Sequence, residues 1–397
     1  MQFRFHLSCS QPLAHSVWLS SCIPQVCIDE EGEHALLHDG SMNRTAFFYD
    51  LPKQLIAQYP ADPRDSSSML VATASQDLFR WDTHFYDFPH FLTPQDLLVV
   101  NNSKVSYRRI LVQTRNKQKV SVTLCHTDPK ENSACWRILA HPTQRLRMEK
   151  NVLLPDGQYA TVTCKDSHFY LTLPNSLRGL SLENWLNQYG TLPLPPYIKR
   201  APTPEDQWRY QTPYARYWGS VAAPTAGLHF SPRVLANLRH KEIAIAELTL
   251  HVGIGTFAPL RSPTLQEHVM HEEHVTVPLE TLKALRDCRQ RAGRIVAVGT
   301  TVVRALESLR LHDWESAQVD LSFATRLFIQ PGFSFQLTDA LLTNYHMPES
   351  TLLVLVAAFW GYENMMNLYQ ESLRRHRRFG SYGDCMFLAK ECVPCAT

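Results

Sequence analysis

Arg294-Ile-Val-Ala-Val-Gly-Thr-Thr301 is the stretch whose reading decides the fold. Ile295 to Val298 is an unbroken apolar run, too short for a helix and without polar alternation, so it reads as a strand buried on both faces. Gly299 supplies the turn, and Thr300-Thr301 caps a helix running through Leu309. Upstream, the helical pattern of Leu282 to Ala292 stops at Gly293. A helix, a buried strand, a turn and a second helix in close succession indicate α/β architecture. The turn is either a helix N-terminus able to hold an anion or a threonine cap on a packed helix.

The pattern continues on both sides. Leu97 to Val100 is a further apolar strand. Ser231-Pro232 opens a helix with Val234, Leu235 and Leu238 on one face, and strand-like Ile243 to Val252 follows. Ser350 to Arg375 reads as a last long element, apolar in its first half and basic at its end. Between Val105 and Leu173 the period changes to short alternating runs: Lys119-Val-Ser-Val-Thr-Leu124, Cys135-Trp-Arg-Ile-Leu139, Tyr159-Ala-Thr-Val-Thr-Cys164 and Phe169-Tyr-Leu-Thr-Leu173. Asp-Pro, His-Pro and Pro-Asp-Gly turns separate them, which is the pattern of a meander or barrel. The expected fold is therefore an α/β main domain assembled from residues 42–105 and 190–397, with a small all-β barrel domain inserted at 106–189. Residues 1–41 carry an acidic Glu30-Glu31-Gly-Glu33 patch and no sustained apolar period. They read as an unstructured tail or as a segment translated from an upstream start codon.

With 397 residues, 44% of them hydrophobic and 19% charged, the chain has the composition of a soluble globular protein with material for two cores. A formal net charge of +2 means that any RNA contact must come from local basic clusters rather than from the overall field. The ten cysteines are scattered, and only Cys392-Val-Pro-Cys395 has a redox or metal spacing, so a reduced, cytoplasmic setting is expected. The longest apolar run, Leu352 to Trp360, is about half of what a membrane-spanning helix needs, and the N-terminus is too polar for a secretory signal.

Candidate chemistry concentrates between Tyr210 and Phe257. Val221-Ala-Ala-Pro-Thr-Ala-Gly-Leu-His229 and Leu248-Thr-Leu-His251-Val-Gly-Ile-Gly-Thr256 place two histidines beside turns rich in small residues. Gly227, Gly253 and Gly255 allow close backbone approach by a ligand, with Thr225 and Thr256 beside them, and imidazole titrates near neutrality. The plainer reading is two structural turns with core histidines. His346 and Asn344 lie where a strand ends before the helix near Ser350, a ligand-facing position in α/β folds. Glu349 and Asp339 flank that turn and either meet a cationic substrate or cap backbone. Asn101-Asn102 end another strand, with amides able to read a base or ribose. Lys199, Arg200 and the cluster Arg374, Arg375, Arg377 and Arg378 suit phosphates; the cluster equally complements a helix C-terminus. His268, His271 and His274 lack the supporting ligands of a metal centre, and no metal is assigned.

These stretches, with Leu194-Pro-Pro-Tyr-Ile-Lys-Arg200, Asn101-Asn-Ser-Lys104, Val298-Gly-Thr-Thr301 and Asp339-Ala-Leu-Leu-Thr-Asn-Tyr-His-Met-Pro-Glu-Ser350, closely resemble the S-adenosylmethionine:tRNA ribosyltransferase-isomerases of queuosine biosynthesis, from about Phe48 to Leu388. The resemblance implies the same α/β domain with an inserted barrel. It implies transfer and isomerisation of the ribosyl group of S-adenosylmethionine onto 7-aminomethyl-7-deazaguanine at the tRNA wobble position, giving epoxyqueuosine with release of adenine and methionine. S-adenosylmethionine is then a consumed substrate and there is no cofactor. The partner is a tRNA with a GUN anticodon, and a cytoplasmic monomer is expected. His229, His251 and His346 become the acid–base candidates, with Glu349 and Asp339 beside them. Asn101, Asn102, Tyr197, Thr225, Gly227, Gly253, Gly255, Thr256 and Asn344 become substrate contacts, and Lys104, Lys199, Arg200 and the Arg374–Arg378 cluster tRNA contacts. Family members usually carry arginine where Ser68 and Lys104 stand, which alters the substrate grip. The rival readings are an S-adenosylmethionine-dependent tRNA methyltransferase, against which the absence of a Gly-rich loop after an N-terminal strand counts, and a noncatalytic RNA-binding protein.

Overall fold

The structure is a computed structural model and describes residues 42–390 apart from 74–75, 128–133, 167 and 258. The expectations for residues 1–41 and for Cys392 and Cys395 lie outside the described residues.

The strand read at Arg294–Gly299 forms over Ile295–Val298, buried at every position. It runs parallel to Leu97–Asn101 on one side and to Ala340–Asn344 on the other, and Ala244–Leu250 joins the far edge of Leu97–Asn101, also parallel. Burial on both faces is why these segments read as continuous apolar runs. They form the centre of a nine-stranded sheet. Glu273–Val277 and Leu321–Thr325 extend one side antiparallel. On the other side Cys385–Ala389 pairs antiparallel with Ala340–Asn344, followed by Ser68–Thr73 and Gln76–His84. One face of the sheet packs Phe85, Phe88, Phe230, Val234 and Leu238. The other is covered by the helices Leu279–Gln290, Thr300–Leu309, Thr351–Trp360 and Tyr362–Arg374.

Chain between Arg109 and Thr172 closes into a six-stranded barrel. Val112, Val120, Val122, Leu124, Ala160 and Val162 turn inward from its strands, and Leu182, Trp185 and Leu186 of the helix Gly179–Tyr189 pack against them. The change of period after Val105 thus marks a second hydrophobic core.

Three local expectations are corrected. Gly299, at φ 94°, occupies the N-cap of the helix Thr300–Leu309, and no side chain caps it. Thr301 Oγ instead accepts a hydrogen bond from the Asn101 amide at 3.3 Å. The element expected from Ser350 to Arg375 breaks at Gly361, whose φ of 90° is outside the helical range, giving Thr351–Trp360 and Tyr362–Arg374. The helix read from Leu282 to Ala292 runs from Leu279 to Gln290, with Pro278 at its N-cap, where a missing N–H leaves no helical bond unmade. Ser231 does cap its helix, accepting from the Val234 N–H at 3.2 Å.

Candidate active-site cleft

The C-terminal ends of Ile295–Val298 and Ala340–Asn344 open into a cleft. Its floor is Gly299-Thr300-Thr301, the uncapped start of a ten-residue helix. The first amides of such a helix have no intrahelical acceptor and carry the positive end of its dipole. Thr343 to Pro348 form one side, Tyr197 with Gly380-Ser381 another, and Thr225 and Thr256 complete the rim.

Two polar side chains there are held in place. Asn344 donates from Nδ2 to the Gly380 carbonyl at 3.1 Å, which fixes the amide with Oδ1 buried on the side of the His229 ring. His346 pairs Nε2 with Thr343 Oγ at 2.9 Å, its backbone N–H donates to the Tyr369 hydroxyl, and its backbone carbonyl accepts from the Tyr49 hydroxyl. Burial pushes the His346 ring down to about 3, so it is neutral near pH 7 rather than a preformed acid, and the same burial weakens it as a base. Tyr197 bonds Ser381 Oγ at 2.7 Å, and burial pushes its hydroxyl up to about 12, keeping it protonated.

His229 and His251 lie off the cleft lining. His229 is only 4% exposed, held through Nδ1 to Ser67 Oγ at 2.7 Å and packed on Phe85. Burial, with Arg378 and Arg64 adding repulsion, lowers its pKa to about 3 against the opposing effect of the Asn344 side chain beside the ring. His251 packs against Gly219, where a Cβ would come within 2.5 Å of Nδ1; burial, Arg108 and His274 lower its pKa. The expected ligand-facing glycines serve neighbouring side chains. A Cβ on Gly227 would meet the Tyr214 hydroxyl at 2.3 Å, and one on Gly255 would meet the His271 ring at 2.2 Å. The Gly253 N–H donates to Glu273 at 3.0 Å.

Several candidates have structural partners. Asn101 is fully used, donating to the Leu250 carbonyl and accepting from the Ser103 and Leu250 amides. Asn102 joins Glu247 and Thr249, so these amides pin strand ends rather than read a base. Asp339 precedes its strand, at the end of the sheet opposite the cleft, and binds Arg289 and the Ile295 N–H at 2.8 Å each. Glu349 pairs with Arg44 at 3.5 Å outside the lining. Arg200 forks onto Asp206 at 2.6 and 2.8 Å and lies over Tyr59. In the basic cluster, Arg374 and Arg375 bind Glu371, and Arg378 binds Asp384. Arg377 Nε is buried. That cluster leaves the helix at Arg374 and spreads into the following turn. Lys104 sits over the Trp218 ring at 4.2 Å, and the Lys199 N–H donates to Gln58.

Sequence reasoning missed Gly380-Ser381 and Arg304. The paired glycines of Phe379-Gly-Ser-Tyr-Gly383 were a turn signal. Arg304, set among Val302, Val303, Ala305 and Leu306 on the helix Thr300–Leu309, was the signal for a buried ion pair. Among the described residues no group of His, Cys, Asp or Glu is placed to hold a metal ion, and no helix is long and apolar enough to cross a membrane.

A mixed sheet with a parallel centre that opens into a polar cleft, with a β-barrel inserted in the chain, defines an α/β enzyme. The queuosine biosynthesis protein family model matches residues 44–388, so the chain belongs to that family. It is 41% identical over 347 residues to the S-adenosylmethionine:tRNA ribosyltransferase-isomerase of Xylella fastidiosa strain M12, covering 87% of this chain and 97% of that one. The enzyme of the same name from Citrifermentans bemidjiense is 42% identical over 343 residues, covering 86% and 98%. The crystal structure of S-adenosylmethionine tRNA ribosyltransferase from Thermotoga maritima superposes with a TM-score of 0.50 at 32% identity, covering 86% of this chain and 99% of that one. The activity class is that of these relatives, ribosyl transfer with isomerisation.

Proposed function

We propose that the chain transfers and isomerises the ribosyl group of S-adenosylmethionine onto 7-aminomethyl-7-deazaguanine at the wobble position of a GUN-anticodon tRNA. The products are epoxyqueuosine-tRNA, adenine and methionine. The enzyme works as a cytoplasmic monomer. The observation that carries this reading is the cleft in which His346, Asn344, Tyr197 and the Thr300–Leu309 helix start converge.

Such a reaction needs a proton removed beside the sulfonium, negative charge stabilised on the departing adenine, and the sugar hydroxyls held while bonds migrate. His346, neutral and oriented by Thr343, is the base. The helix start at Thr300 meets charge developing on adenine, where fixed dipoles act without reorganisation. The Asn344 amide holds a ribose hydroxyl, and Tyr197 provides an aromatic wall. The rings of Tyr59 and Trp208 are exposed, each backed on one face by an arginine that is itself paired to an aspartate, Arg200 to Asp206 and Arg209 to Asp62, which suits stacking with unpaired nucleotides.

A crystal soaked with 5′-methylthioadenosine tests the placement. The nucleoside is expected between Tyr197 and Thr300-Thr301, with a ribose hydroxyl on Asn344. Density confined to the barrel or to the His251 side of the Gly253–Thr256 turn would contradict it.

A further inference from the structure

A second cleft adjoins the first, sharing Thr256 and Leu352 with it. Leu327, Phe328, Ile329 and Leu355 give it apolar walls, while Arg304, Glu273 and His271 give it a polar end. Arg304 is 6% exposed and Glu273 4%, and they pair through Nη1 and Oε2 at 2.5 Å. The pair is incomplete. Nε and Nη2 of Arg304 are buried with no hydrogen-bond partner, a costly arrangement that an incoming oxyanion relieves. Glu273 Oε1 is occupied by the Gly253 N–H and the Thr256 hydroxyl, whereas Oε2 has only Arg304. An adjacent cation and anion at the end of an apolar slot complement a zwitterion with a short apolar arm.

We infer that this second cleft holds the α-amino-acid end of S-adenosylmethionine, with its carboxylate on the free N–H groups of Arg304 and its ammonium at Glu273. The inference rests on the reading of the first cleft as the adenosyl site. The shared wall at Thr256 and Leu352 is where the sulfonium crosses between them. Methionine released by turnover leaves from the same slot.

The test compares three ligands by calorimetric titration of the full chain, with and without an unmodified tRNA anticodon stem-loop. They are S-adenosylmethionine, its decarboxylated form, and 5′-methylthioadenosine, which lacks the amino-acid arm. The wild-type chain is expected to bind S-adenosylmethionine roughly tenfold or more tighter than the decarboxylated form, the scale of a charge-assisted hydrogen bond. Arg304→Gln is expected to abolish that preference while leaving 5′-methylthioadenosine affinity within about twofold. If Arg304→Gln fails to fold, Arg304→Lys, which keeps charge but loses the fork, is expected to reduce the preference. The wild-type comparison also stands by itself. Equal affinity of the wild-type chain for both sulfonium ligands, or a preference that survives in a folded Arg304 variant, overturns the inference while 5′-methylthioadenosine binding sustains the adenosyl reading. If none of the three binds, the adenosyl reading fails and this inference falls with it.

Discussion

His346→Ala is expected to lower kcat by about 100- to 1,000-fold while changing donor affinity by less than about tenfold, because a proton-transfer group acts chiefly in the transition state. His346 is the histidine on the cleft lining, held by Thr343 at 2.9 Å. Its removal leaves Thr343 in contact with bound ligand or water, so a melting curve accompanies the kinetics to separate lost chemistry from lost structure. His229→Ala makes the contrast: that ring is bonded to Ser67 beneath the cleft, and its loss is expected to lower melting temperature more than turnover. The assignment fails if His346→Ala keeps kcat within about threefold of wild type, or if it loses donor affinity and turnover in equal measure.

Acid is expected to begin destabilising the protein before its carboxylates titrate. His229 and His346 are both pushed down to about 3 by burial. In an unfolded chain each takes a proton near 6.5, so between about pH 6.5 and 3 the unfolded state binds more protons than the folded one. The stabilising contribution of the neutral rings is therefore complete above about pH 6.5 and is lost as pH falls through that window. A displacement of this size corresponds to roughly 5 kcal/mol per ring once the pH has fallen through the whole window, against about 5–15 kcal/mol for a typical whole fold. Asp206, lowered to about 2 chiefly by its Arg200 and backbone hydrogen bonds against the cost of burial, acts only below about pH 4. Melting temperature against pH from 7.5 to 4.5 isolates the histidines. His229→Asn should flatten the curve; curves that stay parallel would remove the buried ring as its cause.

The fold was legible where local pattern and burial coincide. Ile295–Val298 and Leu97–Asn101 are apolar at nearly every position because both faces of a central parallel strand are covered, and the barrel strands alternate because one face meets a core. Boundaries set by one backbone angle were not legible: nothing in the periodicity of Ser350 to Arg375 distinguishes Gly361 as a break from Gly361 as a tolerated helical residue. The site was legible in part. Asn344, His346, Tyr197, Thr225 and Thr256 meet at the cleft. Asn101, Asn102, Asp339 and Arg200 carry residue types suited to ligand contact, but their partners are protein groups brought in from distant segments. Type and local spacing cannot separate an amide that binds a ribose from one that binds a strand 149 residues away. The same limit hid Arg304, whose meaning depends on Glu273 in another element.

The central claim is that the cleft dismantles S-adenosylmethionine and passes its ribosyl part to RNA. Product analysis tests this most directly: the chain is incubated with S-adenosylmethionine and tRNA bearing 7-aminomethyl-7-deazaguanine at the wobble position. Adenine and methionine are expected in equal amounts, each matching the modified nucleoside recovered from the tRNA. Release of S-adenosylhomocysteine, or an intact donor after prolonged incubation with competent tRNA, would contradict the account.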